Sequence, residues 1–232
     1  VNSQTGWICS SLGRVLKTTN GGVSWDTSFA LNTLRDIQFL DVQTGWTCGG
    51  GGTLFKSTNG GVNWVSAPLL TTANLLSLHF INVNTGWTVS EQGRRIFRTT
   101  NAGLNWDTVA ILPGISTDFL YSVHFINAFT GYTGGSNSLL YKTTNGGFNW
   151  YQQSVPVPLF VWNFCFLNDT IGWATGGNQG IIIHTTNGGT YLGIELISNI
   201  IPESFNLFQN YPNPFNPNTI IRFNIPLSRG VS

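Results

Sequence analysis

One motif recurs five times in these 232 residues, and its period limits the folds open to the chain. Each copy runs as an apolar strand, a Gly-aromatic pair, a Gly-rich turn and a short strand, then Thr/Ser-x-Asn followed by small residues and usually a Trp. The Gly-aromatic pairs are Gly6-Trp7, Gly45-Trp46, Gly86-Trp87, Gly131-Tyr132 and Gly172-Trp173, spaced 39, 41, 45 and 41 residues apart. The turn asparagines Asn20, Asn59, Asn101, Asn145 and Asn187 follow the same beat, 13 or 14 residues after each aromatic.

Within a unit the apolar residues alternate with polar ones, as at Ile37 and Phe39, Leu78 and Phe80, or Val123 and Phe125. That period of two marks strands with one face turned inward. The second copy divides into four short strands, Leu34 to Leu40, Gly45 to Cys48, Thr53 to Ser57 and Asn63 to Ser66, with Gly, Asn and Thr turns between them. Four strands in about 40 residues, repeated, describe the blades of an all-β propeller. A β-solenoid is the competing architecture; helical repeats lack their helix formers here. The Asn-Gly-Gly turn is expected to hold itself, because both residues tolerate positive φ and an Asx oxygen accepts amides two residues on. Trp25, Trp64, Trp106 and Trp150, five residues after the asparagines, are expected to cover the joints between blades. Leu192 replaces the fifth Trp, so the propeller is expected over 1–192, with units anchored near 7–25, 46–64, 87–106, 132–150 and 173–192. A linker follows over 193–208 and a different segment over 209–232. Val1 aligns with Leu40, the end of a first strand, so the first unit is expected to lack that strand.

Charged residues make up 8% of the chain and the net charge is +1, with no basic run, which removes the electrostatic footprint of nucleic-acid binding. The polar exterior comes instead from 25 Asn, 27 Thr and 18 Ser. No run of 18 apolar residues offers a membrane-spanning helix, and the chain opens on Val1 without a charged and apolar leader from which an address could be read.

Chemistry is sparse. Asp36 lies in a first strand and Asp118 is its rough counterpart two units on, but no facing carboxylate pair of a glycosidase is visible. His79 and His124 occupy matching positions before Phe80 and Phe125, while His184 stands apart; a metal pair would need further ligands. No cofactor, metal or catalytic set is expected. Cys9 and Cys48 also match each other and, with Cys165, read as small buried apolar residues. An odd count leaves at least one thiol free. Asp107-Thr108-Val109 and Asp169-Thr170-Ile171 resemble short bacterial O-glycosylation acceptors at Thr108 and Thr170, and Asn168-Asp169-Thr170 fits an N-glycan sequon.

Thr18-x-Asn20-x-Gly22-x-x-Trp25 and its copies at Ser57, Thr99 and Thr143 resemble the Asp-box turn of sialidase-type propellers, with Asn in place of Asp. The whole unit is similar to the photosystem II assembly and stability factor family, over roughly residues 1 to 192. That resemblance implies a seven-bladed ring docking its partner through basic residues; only Arg94, Arg95 and Arg98 cluster here. The segment Leu207-Phe-Gln-Asn210-Tyr211-Pro212-Asn213-Pro214-Phe215-Asn216-Pro217, with Thr219 to Pro226 after it, resembles the start of the sorting domain that directs cargo through type IX secretion in Bacteroidota. The resemblance implies the type IX machinery as a partner and an extracellular or outer-surface location.

The expectation is therefore a secreted or surface propeller without enzymatic activity. It would bind a protein or glycan, or assemble with its own copies into oligomers or filaments if Thr219 to Ile225 supplied the strand missing from the first unit. The alternatives are a carbohydrate-active propeller enzyme of sialidase or glucanase type and an assembly-factor-like chaperone.

Overall fold

The computed structural model describes residues 2–189 apart from 31, 69–70, 116, 156–157 and 178–179, together with the backbone of 194–198, 206–207 and 223–224. Five antiparallel sheets follow one another along the chain, each with its strands in sequence order. Blade one has three strands, β1 (Gly6–Cys9), β2 (Arg14–Thr18) and β3 (Asp26–Ala30). Blade two has four: β4 (Leu34–Phe39), β5 (Gly45–Gly49), β6 (Leu54–Ser57) and β7 (Val65–Ser66). Blade three contains β8 (Leu75–Phe80), β9 (Gly86–Ser90), β10 (Arg95–Thr99) and β11 (Asp107–Ile111). Blade four contains β12 (Leu120–Phe125), β13 (Gly131–Gly135), β14 (Leu140–Thr143) and β15 (Tyr151–Gln152). Blade five contains β16 (Val161–Phe166), β17 (Gly172–Gly176), β18 (Ile181–Thr185) and β19 (Ile194–Ser198). The inner strands β4, β8, β12 and β16 pack side by side, as around a propeller axis. Among the described residues, no packed joint closes blade five onto blade one.

Among the described residues blade one contributes the three strands β1, β2 and β3. In the tail, β20 (Asn206–Leu207) pairs with β21 (Phe223–Asn224), so the described part of Thr219 to Ile225 finds its partner inside the tail and not on blade one. The sorting-motif residues 210–217 lie outside the described residues.

The Gly-aromatic pair exists because of the inner-strand phenylalanine. The Phe80 ring lies flat on Gly86, and a Cβ there would meet ring carbons at 2.5 Å; Gly45, Gly131 and Gly172 sit equally close to Phe39, Phe125 and Phe166. Only glycine admits that contact. In blades one to four the aromatic of the pair then reaches into the next blade. Trp7 stacks on Phe39 with ring centroids 3.7 Å apart, Trp46 on Phe80 at 3.8 Å, Trp87 on Phe125 at 3.5 Å and Tyr132 on Phe166 at 4.3 Å. Each also donates to the next blade's Asn turn: Trp7 Nε1 to Gly60 O, Trp46 Nε1 to Ala102 O, Trp87 Nε1 to Gly146 O and the Tyr132 hydroxyl to Gly188 O, all at 2.9–3.1 Å. A cation on the paired strand covers the outer side of each ring: Lys17, Lys56, Arg98 and Lys142. The core therefore lies between blades, as separate clusters around Trp46, Trp87 and Tyr132. Burying one such ring contributes about 4–6 kcal/mol by transfer bookkeeping.

Candidate binding surface at the inner-strand rim

Each inner strand carries one residue too many. The register between β4 and β5 shifts between Leu34 and Asp36, and the same shift recurs between Leu75 and Ser77, Leu120 and Ser122, and Val161 and Asn163. The bulged residues are thus Arg35, Leu76, Tyr121 and Trp162. A bulge leaves its extra residue unpaired and re-aims the side chain, which is why bulges gather near binding sites. Glycine again makes the geometry: a Cβ on Gly49, Gly135 or Gly176 would meet the carbonyl oxygen of Thr33, Phe119 or Phe160 at 2.0 Å or less. Those same oxygens accept the next amides, Gly50 N, Ser136 N and Gly177 N, at 2.7–3.0 Å.

While the residues on both sides of the bulge keep their type, the bulged position does not, running Arg, Leu, Tyr, Trp from blade two to blade five. On blades four and five it builds an aromatic group. Tyr121 and Trp162 stack with centroids 4.4 Å apart, and Phe160 meets both rings nearly edge-on. Phe119 adjoins Tyr121 at 6.4 Å. Trp162 is 49% exposed although it sits in an inner strand. A polar edge borders this platform: Glu91 accepts from Asn74 Nδ2 at 2.5 Å, and burial first, then the Glu91 carboxylate, raises the Tyr121 phenol above its ordinary pKa.

Deeper in the same strands, side chains bind the inner strands to one another. Asp36 Oδ2 accepts from Leu78 N at 2.9 Å while Oδ1 accepts from Ile37 N. Two residues on, Gln38 both accepts from Phe80 N and donates to Phe80 O. In the next blade Ser77 and His79 repeat the arrangement, with His79 Nδ1 accepting from Phe125 N at 3.2 Å. Burial pushes the Asp36 carboxyl up, opposed by its bonds from Leu78, Ser77 and Ile37. His79 is pushed down to about 3 by burial and by His124, whose ring centroid is 4.4 Å away and which burial also lowers. Asp118 is not the counterpart of Asp36, since the register gives that role to Ser122. Asp118 lies in the turn before β12, where its carboxylate accepts from Ile115 N and from Asn137 Nδ2. Among the described residues no group of three His, Cys, Asp or Glu side chains is placed to hold a metal ion, and no helix is long and apolar enough to cross a membrane.

The remaining sequence candidates fall elsewhere. The asparagine turns repeat closely: Oδ1 of Asn20, Asn59, Asn101 and Asn145 accepts the amide four residues on, not two, and the Thr or Ser hydroxyl two residues back. Asn187 keeps the hydroxyl bond from Thr185. Trp64, Trp106 and Trp150 stand edge-on against the phenylalanine of their own blade, and Trp25, Trp64 and Trp150 donate to their own turn. The bond across each joint belongs instead to the aromatic of the Gly-aromatic pair. Cys48 is buried and Cys9 half-buried, its thiol pushed up to about 11 by burial and Asp36, but Cys165 is exposed on blade five at the position of Gln38, His79 and His124. Of the three clustered arginines, Arg94 bonds the carbonyls of Leu112 and Ile115, and Arg98 lies over Trp87 and Phe148. Thr108 and Thr170 are both exposed, with the Thr170 hydroxyl donating to Asn168 Oδ1 at 2.9 Å.

Arg35, Leu76, Tyr121, Trp162 and Gln38 do not emerge from the sequence pattern. An alternation of period two has no place for an extra residue, and the available signal was the apolar pair at three of the four strand starts, Leu75-Leu76, Leu120-Tyr121 and Val161-Trp162.

The family described as photosynthesis system II assembly factor YCF48 matches residues 27–100, which span blade two and most of blade three. Among solved structures, the chain is similar to an ancestral GH74 enzyme (22% identity, TM-score 0.70), covering 85% of this chain and 30% of that one. It is also similar to the GH74 xyloglucanase of Xanthomonas campestris (15% identity, TM-score 0.69; 90% of this chain, 38% of that one). A third likeness is YCF48 bound to D1 peptide (14% identity, TM-score 0.50; 90% and 83%). The chain thus spans 30% and 38% of the length of these two GH74 enzymes. A sequence search of curated proteins finds no match. These likenesses establish a β-propeller fold.

Proposed function

We propose that this chain is the propeller of an exported binding protein without hydrolytic activity, whose ligand lies on the inner-strand rim against Tyr121 and Trp162. The observation that carries this reading is the bulge: a structural device repeated in four blades presents a different side chain each time, and on two neighbouring blades it presents stacked aromatics beside the Asn74–Glu91 pair. Stacked rings with few charges nearby suit the apolar face of a neutral sugar, with amide and carboxylate positioned for hydroxyls. Asp36 and Asp118 argue against hydrolysis, because their oxygens are taken up by backbone and amide donors instead of facing each other across open space. Export through the type IX machinery to the outer surface is supported by residues 207–226 alone.

Affinity electrophoresis of the protein in gels containing xyloglucan, mixed-linkage β-glucan or mannan tests the reading. At least one polysaccharide should retard the wild type, and Trp162→Ala should abolish the retardation without changing the melting temperature. Unchanged retardation of Trp162→Ala would remove the rim as the site. Release of reducing ends by the purified protein would replace the binding reading with a GH74-like hydrolase, and retention only by a peptide, as in the YCF48 structure, would replace sugar by protein.

A further inference from the structure

Four of the five repeat turns contain the Asn-Gly dipeptide, Asn20-Gly21, Asn59-Gly60, Asn145-Gly146 and Asn187-Gly188; the fifth is Asn101-Ala102. In this dipeptide the backbone nitrogen of glycine, once it loses its proton, can attack the asparagine Cγ. A C–N bond forms to close a five-membered imide, the carboxamide C–N bond breaks, and the nitrogen leaves as ammonia. Water then opens the imide at either carbonyl, giving aspartate or isoaspartate with no change of oxidation state. Glycine favours the reaction because no Cβ obstructs the approach, and such asparagines are among the thermolabile residues of proteins.

The fold blocks each part of this chemistry. Every attacking nitrogen is engaged as a donor: Gly21 N to Gln4 O, Gly60 N to Gln43 O, Gly146 N to Phe129 O and Gly188 N to Thr170 O, all at 2.8 Å. The carboxamide oxygen is held by a hydroxyl in every turn. Three of the four glycine carbonyls are also clamped from the preceding blade, Gly60 by Trp7, Gly146 by Trp87 and Gly188 by Tyr132 and Lys142. Gly60, Gly61, Gly146, Gly147, Gly188 and Gly189 are buried.

We propose that the Asn-Gly turns at the blade joints are self-modification sites locked by those joints: Asn59, Asn145 and Asn187 convert to aspartate and isoaspartate only when the aromatic of the preceding blade releases its turn. The aspartate product fits, because both bonds that the Asn59 and Asn145 side chains make use the oxygen as acceptor. Aspartate is also the residue of the Asp-box turn that these repeats resemble. Each conversion adds one negative charge to a chain of net charge +1, so a few events invert its sign. Isoaspartate lengthens the backbone by one carbon and cannot keep the turn.

Peptide mapping by mass spectrometry, with an isoaspartyl methyltransferase assay, follows the full chain through incubation in mildly alkaline buffer with and without urea. In urea the four Asn-Gly sites should convert at similar rates and Asn101 more slowly. In the folded protein Asn59 and Asn145 should slow by roughly tenfold or more, since each ~1.4 kcal/mol of opening cost is a factor of ten. Trp7→Phe keeps the ring on Phe39 but removes the donor to Gly60, and should accelerate Asn59 while leaving Asn145 unchanged. Equal folded and unfolded rates at Asn59 or at Asn145 would overturn the proposal whether or not Trp7→Phe folds. A folded Trp7→Phe protein with an unaltered Asn59 rate would overturn the role of the clamp.

Discussion

At the joint between blades three and four, Trp87 is fully buried, lies parallel to Phe125 at 3.5 Å and donates to Gly146 O. On the rim, Trp162 stacks on Tyr121 at 4.4 Å, is half exposed and donates to no described partner. Both tryptophans cross from one blade to the next. They differ in what the repeat demands of them: the joint position is aromatic in all five units, whereas the rim position changes in every blade that has one. Identity across blades therefore marks positions that every joint needs, and variation at a geometrically fixed position marks where a ligand could have shaped the sequence.

The largest test of this contrast is truncation. Trp87→Ala should cost about 4 kcal/mol in urea unfolding, the range for removing a buried aromatic, while Trp162→Ala should stay within about 0.5 kcal/mol, as for exposed residues. Similar losses would erase the distinction. Gly86→Ala drives a methyl group into the Phe80 ring and should cost about 3 kcal/mol, at the upper end of overpacking, with the melting temperature as readout.

His79 sharpens the comparison on the axis side of the strands. Its folded pKa of about 3 lies below the unfolded value of 6.5, so the unfolded chain takes up the proton first and stability falls as pH drops from 6.5 toward 3. Gln38 makes the equivalent bond in blade two, so His79→Gln should keep the bond to Phe125 N and remove this part of the acid sensitivity. We expect about 2 kcal/mol less loss over that window, below the full linkage value because the ring is partly solvated. Urea titrations at several pH values would read it, and an unchanged profile would count against a buried neutral His79. The smallest effect is expected at Ala102, the alanine among the turn glycines, whose φ of 64° lies in the left-handed region. Ala102→Gly should gain about 0.5–1 kcal/mol by relieving that strain, partly offset by the freer unfolded chain.

The sequence by itself determined the repeat and hence the propeller. A ring lying flat on a glycine and a turn built from Thr, Asn and Gly are local requirements, so they imprint fixed residues at fixed spacing, as at Phe80-Gly86-Trp87 and Thr99-Asn101. Only the tertiary structure decided which tryptophan makes the hydrogen bond across the joint: Trp87 donates to Gly146 of the next blade, while Trp106 packs into the cluster around Trp46 of the preceding blade. The same holds for the rim: an extra residue in a strand shifts register without changing composition, and whether Tyr121 meets Trp162 depends on how two blades pack. Asp36 and Asp118 illustrate the limit from the other side, because the sequence placed Asp118 as the rough counterpart of Asp36 and the bulge register gave the matching position to Ser122. Local backbone demands leave a periodic trace in a chain, whereas contacts between units are set by the angle and offset at which the units meet, and those reside in no single unit.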